Sequence, residues 1–309
     1  MLLALKVDVD TLRGTREGVP TLVDKFRRHG AGATFLWSLG PDHTGRAIKR
    51  VFRPGFFSKV QRTSVLSHYG LRTLLYGTLL PGPDIGRRGA DVMRAVRDAG
   101  FETGIHCWDH VRWQDGVATA DAAWTAAEMQ RACDRYTDIF REPPRTHGAA
   151  GWQMSVHALR LTQQLGFDYC SDGRGTHAHL PVWNAELIRC PQFPTTLPTL
   201  DELLGRDGIS ATNVAAHLLE QTADRSSPQV FTLHAELEGM KLAPVLEQLV
   251  VGWKAQGWTL VPTRALYDAV EPMALPRCET GAGQVDGRSG TLLVQGPEFL
   301  ADVDLAQAA

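Results

Sequence analysis

The chain has 309 residues, of which 43% are hydrophobic and 21% charged, so it has enough apolar residues for a large core and is not a disordered chain. Its net charge of −2 is close to neutral, and no apolar run approaches the roughly 20 residues of a transmembrane helix. The five cysteines are scattered and form no C-x-x-C pair, which predicts a reduced protein without a disulfide framework. The apolar run at the start is too short for a signal peptide and favours a buried strand.

Strand and helix patterns alternate along the chain. Residues 2–9 predict the first strand, and residues 19–29 predict a helix that ends at Gly30. Later strands are predicted at 33–40, 101–108, 167–172, 229–236 and 258–263, and later helices at 87–99, 119–140, 155–165, 211–223 and 242–256. This alternation predicts an α/β fold with helices around a parallel sheet, either open or closed into a barrel. Residues 1–270 form the predicted domain, and the tail 271–309 is predicted to be extended or loosely packed.

A basic island, defined as residues 43–83, interrupts this otherwise mildly acidic chain. It has no Asp or Glu, many large aromatic and aliphatic residues, and seven cations: Arg46, Lys49, Arg50, Arg53, Lys59, Arg62 and Arg72. This combination predicts an anionic partner, and an anionic membrane surface suits both the cations and the apolar residues. A lid or a contact between subunits is the alternative. No nucleic-acid-binding motif frames the cations, so nucleic acid is not a predicted partner.

Polar residues collect where the predicted strands end, the rim that carries catalytic groups in (β/α) barrels. Asp8 and Asp10 are two apart on a strand and share one face, where their charges repel unless a cation or a shared proton intervenes. One of them could bind a metal while the other acts as a base. A solvated strand end is the alternative interpretation.

Three histidines and one further aspartate follow other predicted strands. His106 and His110 are four apart and could converge on one Zn²⁺, Co²⁺ or Mn²⁺ ion, although two unrelated histidines give the same spacing. His234 ends an apolar strand, where it could protonate a leaving amine or be a satisfied core histidine. Asp172 could orient His234 by charge pairing.

The order and spacing of these residues resemble the polysaccharide deacetylase family, also called the NodB-homology family, over roughly residues 3–265. The resemblance implies a distorted (β/α) barrel and a hydrolase that cleaves linear amide C–N bonds with one divalent ion, either Zn²⁺, Co²⁺ or Mn²⁺. It implies His106, His110 and Asp10 as metal ligands and Asp8 as the base, with the roles of the two aspartates left exchangeable. It also implies His234 as the general acid.

Two departures from the family pattern concern the base. The family usually has adjacent aspartates, whereas Val9 separates them here. The usual Arg-Pro-Pro-Tyr turn is absent, and residues 143–152 (PPRTHGAAGW) take its place. The arginine that steadies the base in the family must therefore come from elsewhere, and Arg174 is one candidate.

Six segments are more specifically similar to one branch of that family: DVDTLRGTREGVP (8–20), GIHCWDH (104–110), HGAAGW (147–152), SDGRG (171–175), FPTTLPT (193–199) and TLHAELEG (232–239). That branch removes a formyl group from an aminoarabinose that is carried on undecaprenyl phosphate and destined for lipid A, a modification linked to cationic peptide resistance. The resemblance implies a lipid-linked substrate at the cytoplasmic face of the bacterial inner membrane.

Four residues are candidate substrate contacts: Arg13, Arg16, Arg174 and Trp152. The first two follow the first strand and could bind the substrate phosphodiester, or they could be solvated loop cations. Two alternative functions remain, namely a general polysaccharide N-deacetylase and a non-catalytic protein that binds a lipid carrier.

Overall fold

The computed structural model describes residues 1–47, 71–224 and 226–300. The strands are β1 Leu2–Val9, β2 Thr34–Ser38, β3 Glu102–Cys107, β4 Thr146–His147, β5 Tyr169–Cys170, β6 Leu180–Trp183, β7 Glu186–Leu187, β8 Gln229–His234, β9 Thr259–Val261, β10 Arg277–Gly283 and β11 Leu292–Glu298. Seven of them form a parallel sheet in the order β5-β4-β3-β2-β1-β8, with β9 beside the start of β1. The sheet is a curled half-barrel, which confirms the predicted distorted (β/α) barrel.

Helices follow most strands, as predicted. They are α1 Val19–His29, α2 Leu71–Leu75, α3 Ile85–Arg88, α4 Ala90–Asp98, α5 His110–Gly116, α6 Ala122–Phe140, α7 Val156–Gln164, α8 Leu200–Leu203, α9 Val214–Gln221, α10 Ala243–Ala255 and α11 Thr263–Asp268. Helix α1 has the predicted bounds because Gly30 adopts the left-handed φ of 59° that ends it. The predicted helix 87–99 is instead two helices, because Gly89 leaves helical geometry between α3 and α4. None of the helices within the described ranges is long and apolar enough to cross a membrane.

The central strand β1 places the functional side chains. It lies between β2 and β8, and its odd-numbered apolar residues from Leu3 to Val9 pack into the main hydrophobic core. Because side chains alternate along a strand, Lys6 and Asp8 point to the opposite face, and both are buried. Strand β1 therefore carries a charged pair on its inner face and apolar residues on its outer face.

A second, smaller sheet was not predicted. Strands β10 and β11 form an antiparallel hairpin whose first strand pairs with β6, in the order β11-β10-β6-β7. Cys278, Leu292 and Leu293 are buried in it. Part of the tail expected to be extended or loosely packed is thus a packed hairpin, because its few apolar residues meet a strand almost 100 positions earlier in the chain. Residues 301–309 lie outside the described residues.

The basic island is described only at its two ends, residues 43–47 and 71–83. The cations Lys49, Arg50, Arg53, Lys59 and Arg62 lie outside the described residues. The two ends meet through hydrogen bonds, in which Gly45 N–H donates to the Tyr76 carbonyl (3.0 Å) and Asp42 N–H to the Pro83 carbonyl (2.8 Å). All five cysteines are free and buried.

Candidate metal and acid–base site

The three predicted metal ligands meet at the carboxyl edge of the sheet. Asp10 follows β1, His106 lies on β3, and His110 begins α5. His106 Nε2 lies 3.3 Å from Asp10 Oδ1, and His110 Nε2 lies 3.5 Å from Asp10 Oδ2. One potential ligand atom from each residue lies within 4.8 Å of the other two. The strand and the helix that follows it therefore bring the H-x3-H pair onto one carboxylate.

Hydrogen bonds outside this cluster orient both histidines. His106 Nδ1 donates to the Gly148 carbonyl at 2.6 Å, which leaves Nε2 as the ring nitrogen that faces Asp10. Metal-binding histidines are commonly fixed in this way. Asp109 accepts a hydrogen bond from Arg112 N–H (3.1 Å) and caps α5, so His110 is held at the first position of the helix.

The charges of the cluster fit a divalent cation. Asp10 Oδ1 is buried and has no hydrogen-bond partner, which is costly unless a ligand satisfies it. Burial acts to raise the pKa of Asp10, but His110 and then His106 lower it well below its usual range. Burial acts to lower the pKa of His106, but Asp8 and then Asp10 raise it. The centre thus favours positive charge, and two imidazoles with one carboxylate suit Zn²⁺, Co²⁺ or Mn²⁺.

Asp8 is steadied by a cation that sequence analysis missed. Lys6 is fully buried, its Nζ lies 3.5 Å from Asp8 Oδ2, and it donates to the Ser171 carbonyl at 3.0 Å. A buried ammonium group is stable only when it is paired, and Asp8 supplies the carboxylate of this buried ion pair. The available signal was a lysine within an apolar strand, on the same face as the aspartates.

Arg174, the predicted substitute for the family arginine, has other partners. Its guanidinium pairs with Glu202 and donates to the Leu197 carbonyl at 3.1 Å and the Thr195 carbonyl at 3.3 Å. No hydrogen bond or ion pair joins Arg174 to Asp8 among the described residues. The prediction that Arg174 steadies the base is therefore wrong, and Lys6 makes the ion pair with Asp8 instead.

Asp172 does not pair with His234, contrary to the sequence prediction. Its Oδ1 accepts hydrogen bonds from His147 Nδ1 (2.6 Å) and Ala149 N–H (3.0 Å). Its Oδ2 accepts one from Gln192 Nε2 (2.8 Å). The side chain is wholly buried, and no ion pair with His234 is present in the part of the chain that the structure describes. The order of motifs suggested a pairing, but the actual partner is a histidine that the sequence pattern did not mark.

The bonds of Asp172 affect the metal site through the backbone. By binding His147 and Ala149, Asp172 fixes the segment on both sides of Gly148. The Gly148 carbonyl is the group that orients His106. Asp172 is therefore connected to the metal cluster through one peptide group.

His234 stands at the same rim. It ends β8 directly beside Asp8 in register, and it lowers the pKa of Asp10 after the stronger effects of burial, His110 and His106. Its Nδ1 is buried without a hydrogen-bond partner. The ring of Trp152 meets its edge at a centroid distance of 6.4 Å. The structure thus brings together five of the six residues predicted at the rim. Asp172 is the sixth, and it contacts His147, Ala149 and Gln192 instead.

No family model matches the chain. Two curated relatives are each named a probable 4-deoxy-4-formamido-L-arabinose-phosphoundecaprenol deformylase ArnD. The relative from Shewanella sediminis is 38% identical over 288 residues, covering 93% of this chain and 92% of the relative. The relative from Wigglesworthia glossinidia brevipalpis is 30% identical over 240 residues, covering 77% and 82%. The chain belongs to the ArnD deformylase family.

The fold of this ArnD family member is also similar to that of solved polysaccharide deacetylases. A crystal structure named as a polysaccharide deacetylase from Mycobacterium smegmatis superposes with a TM-score of 0.61 at 15% identity, covering 89% of this chain and 92% of that one. At this identity the likeness concerns the fold alone. It agrees with the curled parallel sheet described above.

Glu236 is a second residue that sequence analysis missed. Its Oε1 accepts hydrogen bonds from Asp10 N–H (3.1 Å), Thr11 N–H (2.9 Å) and Thr11 Oγ1 (2.7 Å). A Cβ at Gly14 would lie 1.9 Å from the same oxygen, so only glycine fits there. Glu236 therefore fixes the loop after β1 that carries Asp10, although the two residues are 226 positions apart in the sequence.

The predicted substrate contacts have protein partners in the structure. Trp152 is 2% exposed, adopts a left-handed φ of 53°, and lies under Lys6, Arg174 and Arg288. Arg288 comes from the tail that was expected to be loose. A left-handed backbone conformation is strained at a bulky residue and persists only where the surrounding structure enforces it. Around Trp152, the packing against the three cations and the edge contact with His234 enforce it.

Arg13 and Arg16 lie after β1, as predicted. Arg13 Nε donates to Glu17 at 3.0 Å, and the exposed Arg16 donates to the Arg88 carbonyl at 2.9 Å. Their predicted contact with a phosphodiester stays a prediction.

Proposed function

We propose that this chain hydrolyses the formamide of 4-deoxy-4-formamido-L-arabinose carried on undecaprenyl phosphate, releasing formate and a free amine, with one divalent metal ion. The observation that carries the proposal is the convergence of Asp10, His106 and His110 on one point, with Asp8 and His234 beside it. It is supported by 38% identity over 93% of the chain to a relative named for this reaction.

Two different residues carry the two proton transfers of this proposal, Asp8 and His234. A divalent ion would be held by Asp10, His106 and His110, and it would supply Lewis acidity at this point. Asp8, which is paired with Lys6, accepts the proton of the attacking water. The water oxygen joins the formyl carbon, the C–N bond breaks, and His234 donates a proton to the departing amine nitrogen. Neither transfer requires a nucleophilic side chain.

A membrane surface is the proposed partner of the basic island, and the cytoplasmic face of the inner membrane is the proposed location. Within the described ends, Leu79 is 81% exposed, Leu80 is 37% exposed, and Arg72 is also exposed. His43, at the base of the island, contacts Asp109 at 2.6 Å, between the two metal-binding histidines. Apolar and cationic side chains so close to the site suit a sugar held near the leaflet by its lipid. Arg13 and Arg16 are the proposed contacts of the phosphodiester.

A formate-release assay tests the proposed reaction. The purified protein, stripped of metal and reloaded with Zn²⁺, Co²⁺ or Mn²⁺, should release formate from the lipid-linked formamido sugar and be inactive when stripped. Faster cleavage of the matching acetamido sugar would favour a general N-deacetylase. Tight binding of the lipid-linked sugar without formate release would favour a lipid-carrier binding protein.

Co-sedimentation with liposomes tests the membrane proposal. The protein should bind anionic liposomes at low salt and bind less at 1 M salt, where the Debye length falls from about 10 Å at 0.1 M to about 3 Å. Leu79→Ser/Leu80→Ser should weaken binding. Val251→Ser is the matched control, since Val251 is 50% exposed on the distant helix α10. Equal binding by all three proteins would leave a lid or a subunit contact as the role of the island.

A further inference from the structure

Glu238 is a buried carboxyl group beside His234 with no role in the scheme above. Its side chain is fully buried, and its Oε2 accepts the hydrogen bond of the His234 backbone N–H at 2.8 Å. Its other oxygen, Oε1, is buried and has no hydrogen-bond partner. The imidazole Nδ1 of His234 is likewise buried and without a partner. Glu238 and His234, which are joined by this hydrogen bond, thus each leave one buried polar atom without a partner.

Other carboxyl groups lie nearby. Both oxygens of Asp172 are occupied by His147 and Gln192, whereas Asp8 and Glu236 each keep one unpaired oxygen. Glu238 differs from Asp8 and Glu236 because its carboxyl group already accepts a hydrogen bond from the His234 backbone. A buried polar group without a hydrogen bond is destabilising, so a bond between Nδ1 and Oε1 would satisfy both atoms at once.

The backbone around Glu238 is fixed. The segment Leu237–Lys241 is an irregular π-helical turn, and Gly239 packs so closely on Gly18 that a Cβ would lie 2.7 Å from the Gly18 Cα. Burial raises the pKa of Glu238 to about 7, while the His234 imidazole acts to lower it and Asp201 acts to raise it. Asp10 also interacts electrostatically with His234.

We propose that Glu238 is the positioning residue of His234, holding the imidazole through Nδ1 so that the opposite nitrogen faces the reacting amine with a proton. The proposal rests on the proposed function, in which His234 is the general acid. Glu238 acts through His234 and does not touch the substrate. It takes the place that sequence analysis gave to Asp172.

The first test is a double-mutant cycle on the metal-loaded protein. Glu238→Gln should lower kcat for formate release on the order of 10-fold or more, with metal content and KM little changed. In a His234→Ala background, the same change should have no further effect on kcat, because the residue through which Glu238 acts is gone. Equal losses of kcat in both backgrounds would overturn the proposal and make Glu238 a purely structural residue.

The second test does not depend on activity and decides the pairing even if formate release fails. In the Zn²⁺-loaded protein, NMR should show a downfield His234 Nδ1 proton that moves upfield in Glu238→Gln. Glu102→Gln, another buried glutamate far from His234, is the matched control and should leave this resonance unchanged. If Glu238→Gln does not fold, the carboxyl pKa of Glu238 can be followed in His234→Ala, where it should rise above about 7. An unmoved resonance or an unmoved Glu238 pKa contradicts the pairing.

Discussion

Buried carboxyl groups at the two edges of the parallel sheet differ in how completely they are hydrogen-bonded. At the amino edge, Glu102 accepts hydrogen bonds from Tyr169 Oη (2.7 Å), Thr34 Oγ1 (2.5 Å) and Arg264 N–H (3.1 Å), so both of its oxygens are satisfied. At the carboxyl edge, the buried atoms without a hydrogen-bond partner include Asp8 Oδ1, Asp10 Oδ1, His234 Nδ1, Glu236 Oε2 and Glu238 Oε1. Both oxygens of the Glu102 carboxyl group are therefore satisfied at the amino edge, whereas Asp8, Asp10, Glu236 and Glu238 each keep an unsatisfied oxygen at the carboxyl edge.

This difference in hydrogen bonding distinguishes residues that stabilise the fold from residues that offer atoms to a ligand. Native proteins rarely leave buried polar atoms unpaired, and the exceptions concentrate at functional sites. Substitutions at the carboxyl edge should consequently reduce metal binding and turnover, whereas substitutions at the amino edge should change only stability.

The largest effect is expected for His106→Ala. His106 offers Nε2 toward Asp10 from a ring fixed by the Gly148 carbonyl, so its removal takes away an oriented ligand. The variant should lose bound metal and, with it, nearly all formate release. Metal analysis by mass spectrometry after dialysis measures the first effect. Full metal occupancy in His106→Ala would exclude this histidine as a ligand.

His234→Ala should keep its metal and lose turnover. General acid–base groups typically contribute about 10²–10⁴-fold, because proton transfer to the leaving amine is otherwise left to water. The imidazole is not part of the metal cluster, so metal content should match the parent. A substrate with a better leaving group should restore part of the rate. Near-normal turnover on the natural substrate would remove His234 from the mechanism.

Lys6→Met should reduce stability, because it leaves Asp8 buried without its cation. Removing one partner of a buried ion pair typically costs about 3–5 kcal/mol. The free energy of unfolding in urea should fall accordingly, and Lys6→Met/Asp8→Asn should recover part of the loss by removing the stranded charge. Without such recovery, the ion pair is not the reason for the loss.

Asp172→Asn should weaken metal binding without changing the protonation chemistry of His234. Loss of a group that orients a metal ligand typically costs 10–100-fold in affinity, roughly, and here the effect passes through Ala149 and Gly148 to His106. Competition with a Zn²⁺ chelator measures the affinity. An unchanged Zn²⁺ affinity would show that the peptide connection has no energetic importance.

The sequence predicted what depends on local pattern and missed what depends on distant contacts. Helix 19–29 was predicted to the residue because Gly30 marks its end, and the H-x3-H spacing identified two of the converging ligands. Glu236 was invisible because glutamate is ordinarily a surface residue, and its partner Asp10 is 226 positions away. The pairing of β10 with β6 has no local signal for the same reason.

The smallest effect is expected for Glu102→Gln at the amino edge. Burial raises the pKa of Glu102 above its ordinary value of 4.5, so the folded protein holds this proton more tightly than the unfolded chain. Its contribution to stability is therefore present at pH below about 4.5 and is lost as the pH rises through the higher folded pKa. Gln has the same shape and no charge, so the variant should lack this decline and otherwise stay within about 1 kcal/mol of the parent. Urea unfolding at pH 4 and pH 8 measures the decline, and formate release per folded molecule should be unchanged. A clear loss of turnover in Glu102→Gln would mean that the amino edge also serves the reaction, and the division between the two edges would not hold.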